Sequence, residues 1–168
     1  MKRRVIQVFA LLARPFVRRA RPGLPRRVLV LKPDHLGDLL LATPALQALR
    51  QGLPAAHVTA LVGPWARRMW QGLPELDCLA EVPFPGFERA HAGRRQPLAP
   101  YLALLRYGLL LRRARYDAAL LLRDDHWWGA ALALLAGIPL RVGHAHPLCA
   151  PLLSLALPYD PRSHVTRQ

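Results

Sequence analysis

Residues 28–46 read VLVLKPDHLGDLLLATPAL. A short apolar run of strand type breaks into Lys-Pro-Asp-His-Leu-Gly-Asp and resumes at once as leucines at helical spacing. Two acids, a histidine and a lysine therefore share one tight connection. With the single glycine Gly37, the connection is neither a GxGxxG fingerprint nor a P-loop. A glycine there permits a positive φ, or a close approach of ligand to backbone where a side chain would intrude. Asp38 falls in the first turn of a helix expected over 38–51, where the dipole and free N–H groups favour a negative charge. Two readings of Asp38 stand side by side, a helix-terminal charge and a chemically active carboxylate. Pro44 likewise leaves two: it kinks the helix, or Thr43 caps a new segment with Pro44 in its first position.

Outward from this stretch, apolar runs and helical segments alternate. Strands are expected over 27–32, 57–63, 78–84, 116–122 and 140–145, and helices over 38–51, 64–71, 98–115 and 128–136, with a polar loop over 86–97. Strands apolar on both faces that alternate with helices imply a parallel sheet covered on both sides. The fold class expected is a doubly wound, Rossmann-like α/β domain, whose ligands bind outside the carboxyl ends of the strands. The two most polar connections, 32–38 and 123–127, both follow strands directly, so they are expected to form one site.

The second connection, RDDHWWG over 123–129, concentrates charge and aromatic surface. Three adjacent residues leaving a strand rarely converge on one ion, and no second ligand cluster accompanies Asp124, Asp125 and His126, so no metal is expected. Trp127 and Trp128 could stack on a sugar or base, core packing being the commoner fate of at least one. Trp65 and Trp70 are assigned to one helix as core or partner contacts, and His144 and His146 to surface or loop positions.

At 168 residues the chain suits one domain able to bury a core without metal or disulfide help. A hydrophobic fraction of 52% with 20% charged residues excludes a disordered polar tail. Cys78 and Cys149 belong to no CxxC pattern and read as reduced, buried thiols of a cytoplasmic protein. The net charge of +14 is not evenly spread: residues 1–33 hold ten Lys/Arg and no acid, leaving 14 basic against 10 acidic residues beyond. No RNP-like motif, zinc-finger spacing or basic heptad accompanies the charge, so no nucleic-acid partner is expected. Residues 1–26 form a basic N-terminal extension in which Val5, Val8, Phe9, Leu12 and Phe16 recur at helical spacing. Residues 1–22 could lie on an anionic membrane, at the inner face of the cell membrane, or the stripe could pack on its own domain. A secretory signal would need a cleaner apolar centre and no arginines after it. No uninterrupted apolar run reaches the length that spans a bilayer.

VLVLKPDHLGDLLLATPALQALR (28–50), HVTALVGPWA (57–66), YDAALLLRDDHWWGAALAL (116–134) and AGIPLRVG (136–143) together resemble glycosyltransferase family 9. Its members include the ADP-heptose:lipopolysaccharide heptosyltransferases. The resemblance runs from Val28 to about Gly143; the stretch after the fourth strand departs from the family's more usual Gln-Gly or Arg-Ser wording. It implies a GT-B architecture of two Rossmann-like domains facing a cleft, with this chain, over 27–168, as the N-terminal, acceptor-side domain. Matched by motif, Asp38 takes the position of the catalytic base of an inverting transfer. Lys32, Asp34, His35 and Gly37 would line the acceptor side with Thr43 behind them, and Arg123, Asp124 and His126 would border the cleft from the second loop. The resemblance implies an ADP-sugar donor, ADP-heptose or similar, as substrate rather than cofactor, and a lipopolysaccharide-type or other cell-envelope glycan as acceptor. Family members are roughly twice this length, so a donor-binding C-terminal domain is expected to be missing, as in a truncated, split or isolated form that is inactive alone. The alternatives are a non-catalytic glycolipid- or partner-binding module, and an unrelated Rossmann-like ligand binder with a membrane-docking leader.

Overall fold

The computed structural model describes residues 2–85 and 98–160; the loop expected over 86–97 lies outside the described residues. Six strands form one sheet: β1 (Arg27–Lys32), β2 (His57–Val62), β3 (Cys78–Glu81), β4 (Ala118–Leu121), β5 (Leu140–His144) and β6 (Leu155–Leu157). All are parallel, in the order β3-β2-β1-β4-β5-β6. From β1 the chain winds outward to β3, then crosses back to lay β4 on the other side of β1. This is the doubly wound, Rossmann-like arrangement, and its strand order reverses between β1 and β4.

The sequence of β1 explains its central place. Every residue from Val28 to Lys32 is buried. Val28 and Val30 enter the core beneath α2 (Leu36–Gly52) and the short α3 (Arg67–Trp70), meeting Leu39, Leu46 and Trp70. Leu29 and Leu31 point to the opposite layer, built by α1 (Lys2–Ala13), α4 (Ala99–Ala114) and α5 (Trp127–Leu135). Period-two alternation with both sides apolar is what a covered parallel strand requires. Helix α5, WWGAALALL, is buried along nearly its whole length.

Several boundaries differ from expectation. Helix α2 begins at Leu36 and runs unbroken through Pro44. Pro44 is exposed, and the hydroxyl of Thr43 back-bonds to the Leu39 carbonyl, 3.4 Å, so Thr43 caps no new segment. The helix expected over 64–71 is a 3-10 turn, Pro64–Ala66, followed by α3, which puts Trp65 and Trp70 in different elements. Strands β3 and β4 are shorter than expected, although the Leu122 amide still donates to the Leu31 carbonyl, 3.1 Å. Strand β6 was not expected at all. It is an exposed edge of three residues, and the turn before it is fastened by the buried Arg141 guanidinium, which donates to the Leu152 carbonyl at 2.8 Å.

Helix α1 sends Ile6, Ala10 and Ala13 into the core. Of the stripe at helical spacing, Phe9 is half-buried against that core, while Val5, Val8, Leu12 and Phe16 stay exposed. Among the described residues, no helix is long and apolar enough to cross a membrane. Cys149 is buried, and burial pushes its thiol up to about 12; Cys78, expected to be buried, is exposed.

Candidate functional site

Strand β1 ends in Lys32, whose side chain turns back across the sheet and donates from Nζ to the Leu122 carbonyl just past β4, 2.8 Å. The loop that follows places Asp34, 2% exposed, between two cations. One carboxylate oxygen lies 3.0 Å from the Lys32 ammonium, and the other accepts from the Arg123 guanidinium. Arg123 in turn grips Asp125, its Nε 2.6 Å from Oδ1. The first polar connection is thereby bonded to the second, across the point where the strand order reverses. Burial works against the Arg123 charge but is outweighed by Asp125 and Asp34, which hold the guanidinium above its ordinary value. The loop backbone is pinned as well, since the Trp65 indole donates to the Asp34 carbonyl, 3.0 Å. Gly63 makes room for that ring: a Cβ there would stand 2.3 Å from it.

Above this cluster lies a cleft of about 430 Å3. Its polar wall is Lys32, Asp34, Asp38, Arg123, Asp124 and His144; its apolar wall comes from the inner side of α2 and the ends of β4 to β6. Asp38 sits half-buried in the first turn of α2 and makes no ion pair among the described residues. The two carboxylates of the first connection are thus in different states: Asp34 is committed to two cations, and Asp38 faces the cleft.

Other residues proposed from the sequence do not line it. His35 is the N-cap of α2, its ring 5.8 Å from that of Trp65. Gly37 is helical without a positive φ, and a Cβ there would meet nothing within 4 Å, so neither conformation nor packing demands glycine. Thr43 bonds within its own helix. His126 is buried against Phe84, ring centroids 5.3 Å apart, and burial lowers its pKa to about 4, with the Arg123 charge adding to the effect. Asp124, Asp125 and His126 therefore enter three separate environments: cleft wall, ion pair and core. Of the tryptophans, Trp128 is core and donates to the Pro100 carbonyl, 3.0 Å. His144, assigned from sequence to a surface or loop, ends β5 and lines the cleft. Its position at the carboxyl end of a strand beside β4 was the signal that could have placed it.

The fold and the cleft define a Rossmann-like domain with a polar-walled cleft at its topological switch point. No protein-family model and no curated protein match the chain. Among solved structures it is similar to a glycosyltransferase family 9 protein from Veillonella parvula DSM 2008, with a TM-score of 0.68 at 22% identity over 84% of this chain. It is also similar to the E. coli heptosyltransferase WaaC solved with ADP and with ADP-2-deoxy-2-fluoro heptose, each with a TM-score of 0.63 at 18% identity over 84% of the chain. At these identities the likeness establishes the fold. The chain spans 38% of the Veillonella protein and 44–45% of WaaC, less than half of each.

Proposed function

We propose that this chain is the acceptor-side domain of a family 9 glycosyltransferase, part of an inverting enzyme that transfers a sugar from an ADP-sugar to a lipopolysaccharide-type or other cell-envelope glycan. Donor binding falls to a second Rossmann-like domain facing this one. The protein works in the cytoplasm at the inner face of the membrane, where residues 1–22 hold it.

The observation that carries the reading is the contrast between the two carboxylates. Asp34 is neutralised by Lys32 and Arg123, whereas Asp38 lines the cleft without an ion pair among the described residues. Transfer with inversion needs one carboxylate to take the acceptor hydroxyl proton as that oxygen bonds to the anomeric carbon. The bond from that carbon to the diphosphate breaks in the same step, and its electron pair leaves with ADP. The departing group is already an anion, so cationic donors or a helix N-terminus replace a general acid. Asp38 is the base. Lys32, Asp34 and Arg123 form a fixed polar floor that orients the acceptor, and Asp124 contacts it from the rim. Gly37 precedes Asp38 in the first turn of α2, while His35, Thr43 and His126 hold the walls in place.

The test pairs the chain with a donor-binding domain and measures sugar transfer from an ADP-sugar. Asp38→Asn keeps size and most hydrogen bonding but cannot accept the proton, so the rate should fall by about 10²–10⁴ with ligand binding little changed. A variant that transfers within about threefold of the parent while melting slightly lower would make Asp38 only a helix-terminal charge, a role worth about 0.3–1 kcal/mol. Saturable glycan binding by a parent that never transfers sugar would identify a binding module instead.

A further inference from the structure

A surface helix is ordinarily polar on the side away from the core. Helix α4 is not. Its inner side packs Leu104 and Gly108 toward α5, yet Tyr101, Leu102, Leu105, Leu109 and Leu110 are all exposed on its outer side. Helix α1 repeats the anomaly: with Ile6, Ala10 and Ala13 buried, Val5, Val8, Leu11 and Leu12 face outward, followed by exposed Phe16. Both helices contribute to one core cluster with α5, on the same side of the sheet. Their carboxyl ends are joined where the Arg112 guanidinium of α4 donates to the Phe16 carbonyl, 2.9 Å.

The charge carried by the segments that form this apolar surface has one sign. Residues 1–33 contain no acid, and the stretch 98–116 contains Arg106, Arg112, Arg113 and Arg115 with none either. Exposed apolar surface on this scale marks a docking site. A second copy of the chain would set arginine against arginine, and a protein partner would have to offer a surface both apolar and acidic. An anionic bilayer supplies both at once, acyl chains beneath and negative headgroups above.

We propose that α1 and α4 together form a single docking face for an anionic lipid bilayer, with both helices lying in the interface plane. This goes beyond contact through residues 1–22, because it makes α4, an internal helix of the domain, half of the anchor. The cleft itself is walled by α2, which packs on the opposite face of the sheet from α1 and α4.

The test is co-sedimentation of the full chain with phosphatidylcholine vesicles, with and without phosphatidylglycerol. The parent should bind only the anionic vesicles, and more weakly as ionic strength rises from about 0.1 to about 0.5 M. The triple variant Leu102→Gln, Leu105→Gln, Leu109→Gln should lose about tenfold in partitioning, and Val8→Gln with Leu12→Gln a comparable amount. A fluorophore on Leu105→Cys, in a Cys78→Ser background, should become shielded from a water-soluble quencher when anionic vesicles are added, which tests α4 without disturbing the fold. Parental vesicle binding by the triple variant, with Leu105 still quenched, would overturn the proposal and leave α1 as sole anchor. A lipid-free dimer that the triple variant dissolves, in a parent that ignores vesicles, would overturn it in favour of a protein interface.

Discussion

Replacing Asp34 by Asn tests the cluster that joins the two polar connections. Asp34 is 2% exposed and Lys32 8%, so the substitution leaves an ammonium in the interior with its counter-charge removed. At 3.0 Å and an effective dielectric constant of about 20, the pair interacts by about 5 kcal/mol. Asparagine keeps a carbonyl oxygen for the same cations, and the Leu122 carbonyl still accepts from Lys32. Breaking a buried pair by deleting one partner costs about 3–5 kcal/mol; with these residual contacts, about 3 kcal/mol is expected. For a domain of this size that lowers the melting temperature by about 6–12 °C.

A double-mutant cycle identifies the cause. Lys32→Met removes the stranded charge, so Lys32→Met with Asp34→Asn should be more stable than Asp34→Asn alone. Arg123 keeps its contact with Asp125 and is only partly buried, so it contributes less to the penalty. Thermal and urea melts of the four proteins give a coupling energy, expected at about 1–3 kcal/mol. Additive single effects, or an Asp34→Asn melt within about 2 °C of the parent, would refute the reasoning.

Two further predictions concern stability alone. His126 is held neutral by burial with its pKa near 4; below about 6.5 the unfolded chain therefore binds a proton that the folded chain excludes, and about 3 kcal/mol of stability should be lost between about pH 6.5 and 4. Urea midpoints at several pH values should show that decline in the parent and not in His126→Gln; an equal decline in both would exclude His126 as its source. Arg115, the C-cap of α4, has φ 53° and ψ 47° without being glycine. Arg115→Gly should raise stability by about 0.5–1 kcal/mol, and a lower melting temperature would mean that the arginine side chain contributes more than its backbone costs.

The parts legible in the sequence were those where one physical demand dominates. VLVL followed by a polar connection reads as a covered strand because it is short, rich in β-branched residues and stops at once in a polar turn. The expectation that 32–38 and 123–127 lie together followed from topology, since both leave the carboxyl ends of strands. What topology could not supply was which acid pairs with which cation. Asp34 and Asp38 look alike in sequence, and only the position of Arg123 across the switch point distinguishes them. Strand β6 was illegible because an exposed three-residue edge owes its existence to pairing with β5, not to any pattern of its own. The facing of α1 was illegible for another reason: nearly every residue from Val5 to Ala13 is apolar, so periodicity cannot say which side is buried. Packing decided it, by bringing Ile6, Ala10 and Ala13 into the core with Phe9 against them and leaving Val5, Val8, Leu11 and Leu12 outside.

Two features resist explanation by folding alone, and they are the ones to which function is assigned. A buried charge cluster is weak evidence for stability, because well-packed apolar residues of the same volume commonly do as well. Exposed leucines along α4 add nothing to the core and invite association. Where a sequence breaks local rules without a structural return, a functional site is the expected reason. The cluster fixes a polar floor beside Asp38 at the switch point, and the exposed leucines of α4, on the opposite face of the sheet, are the surface proposed above to meet a membrane.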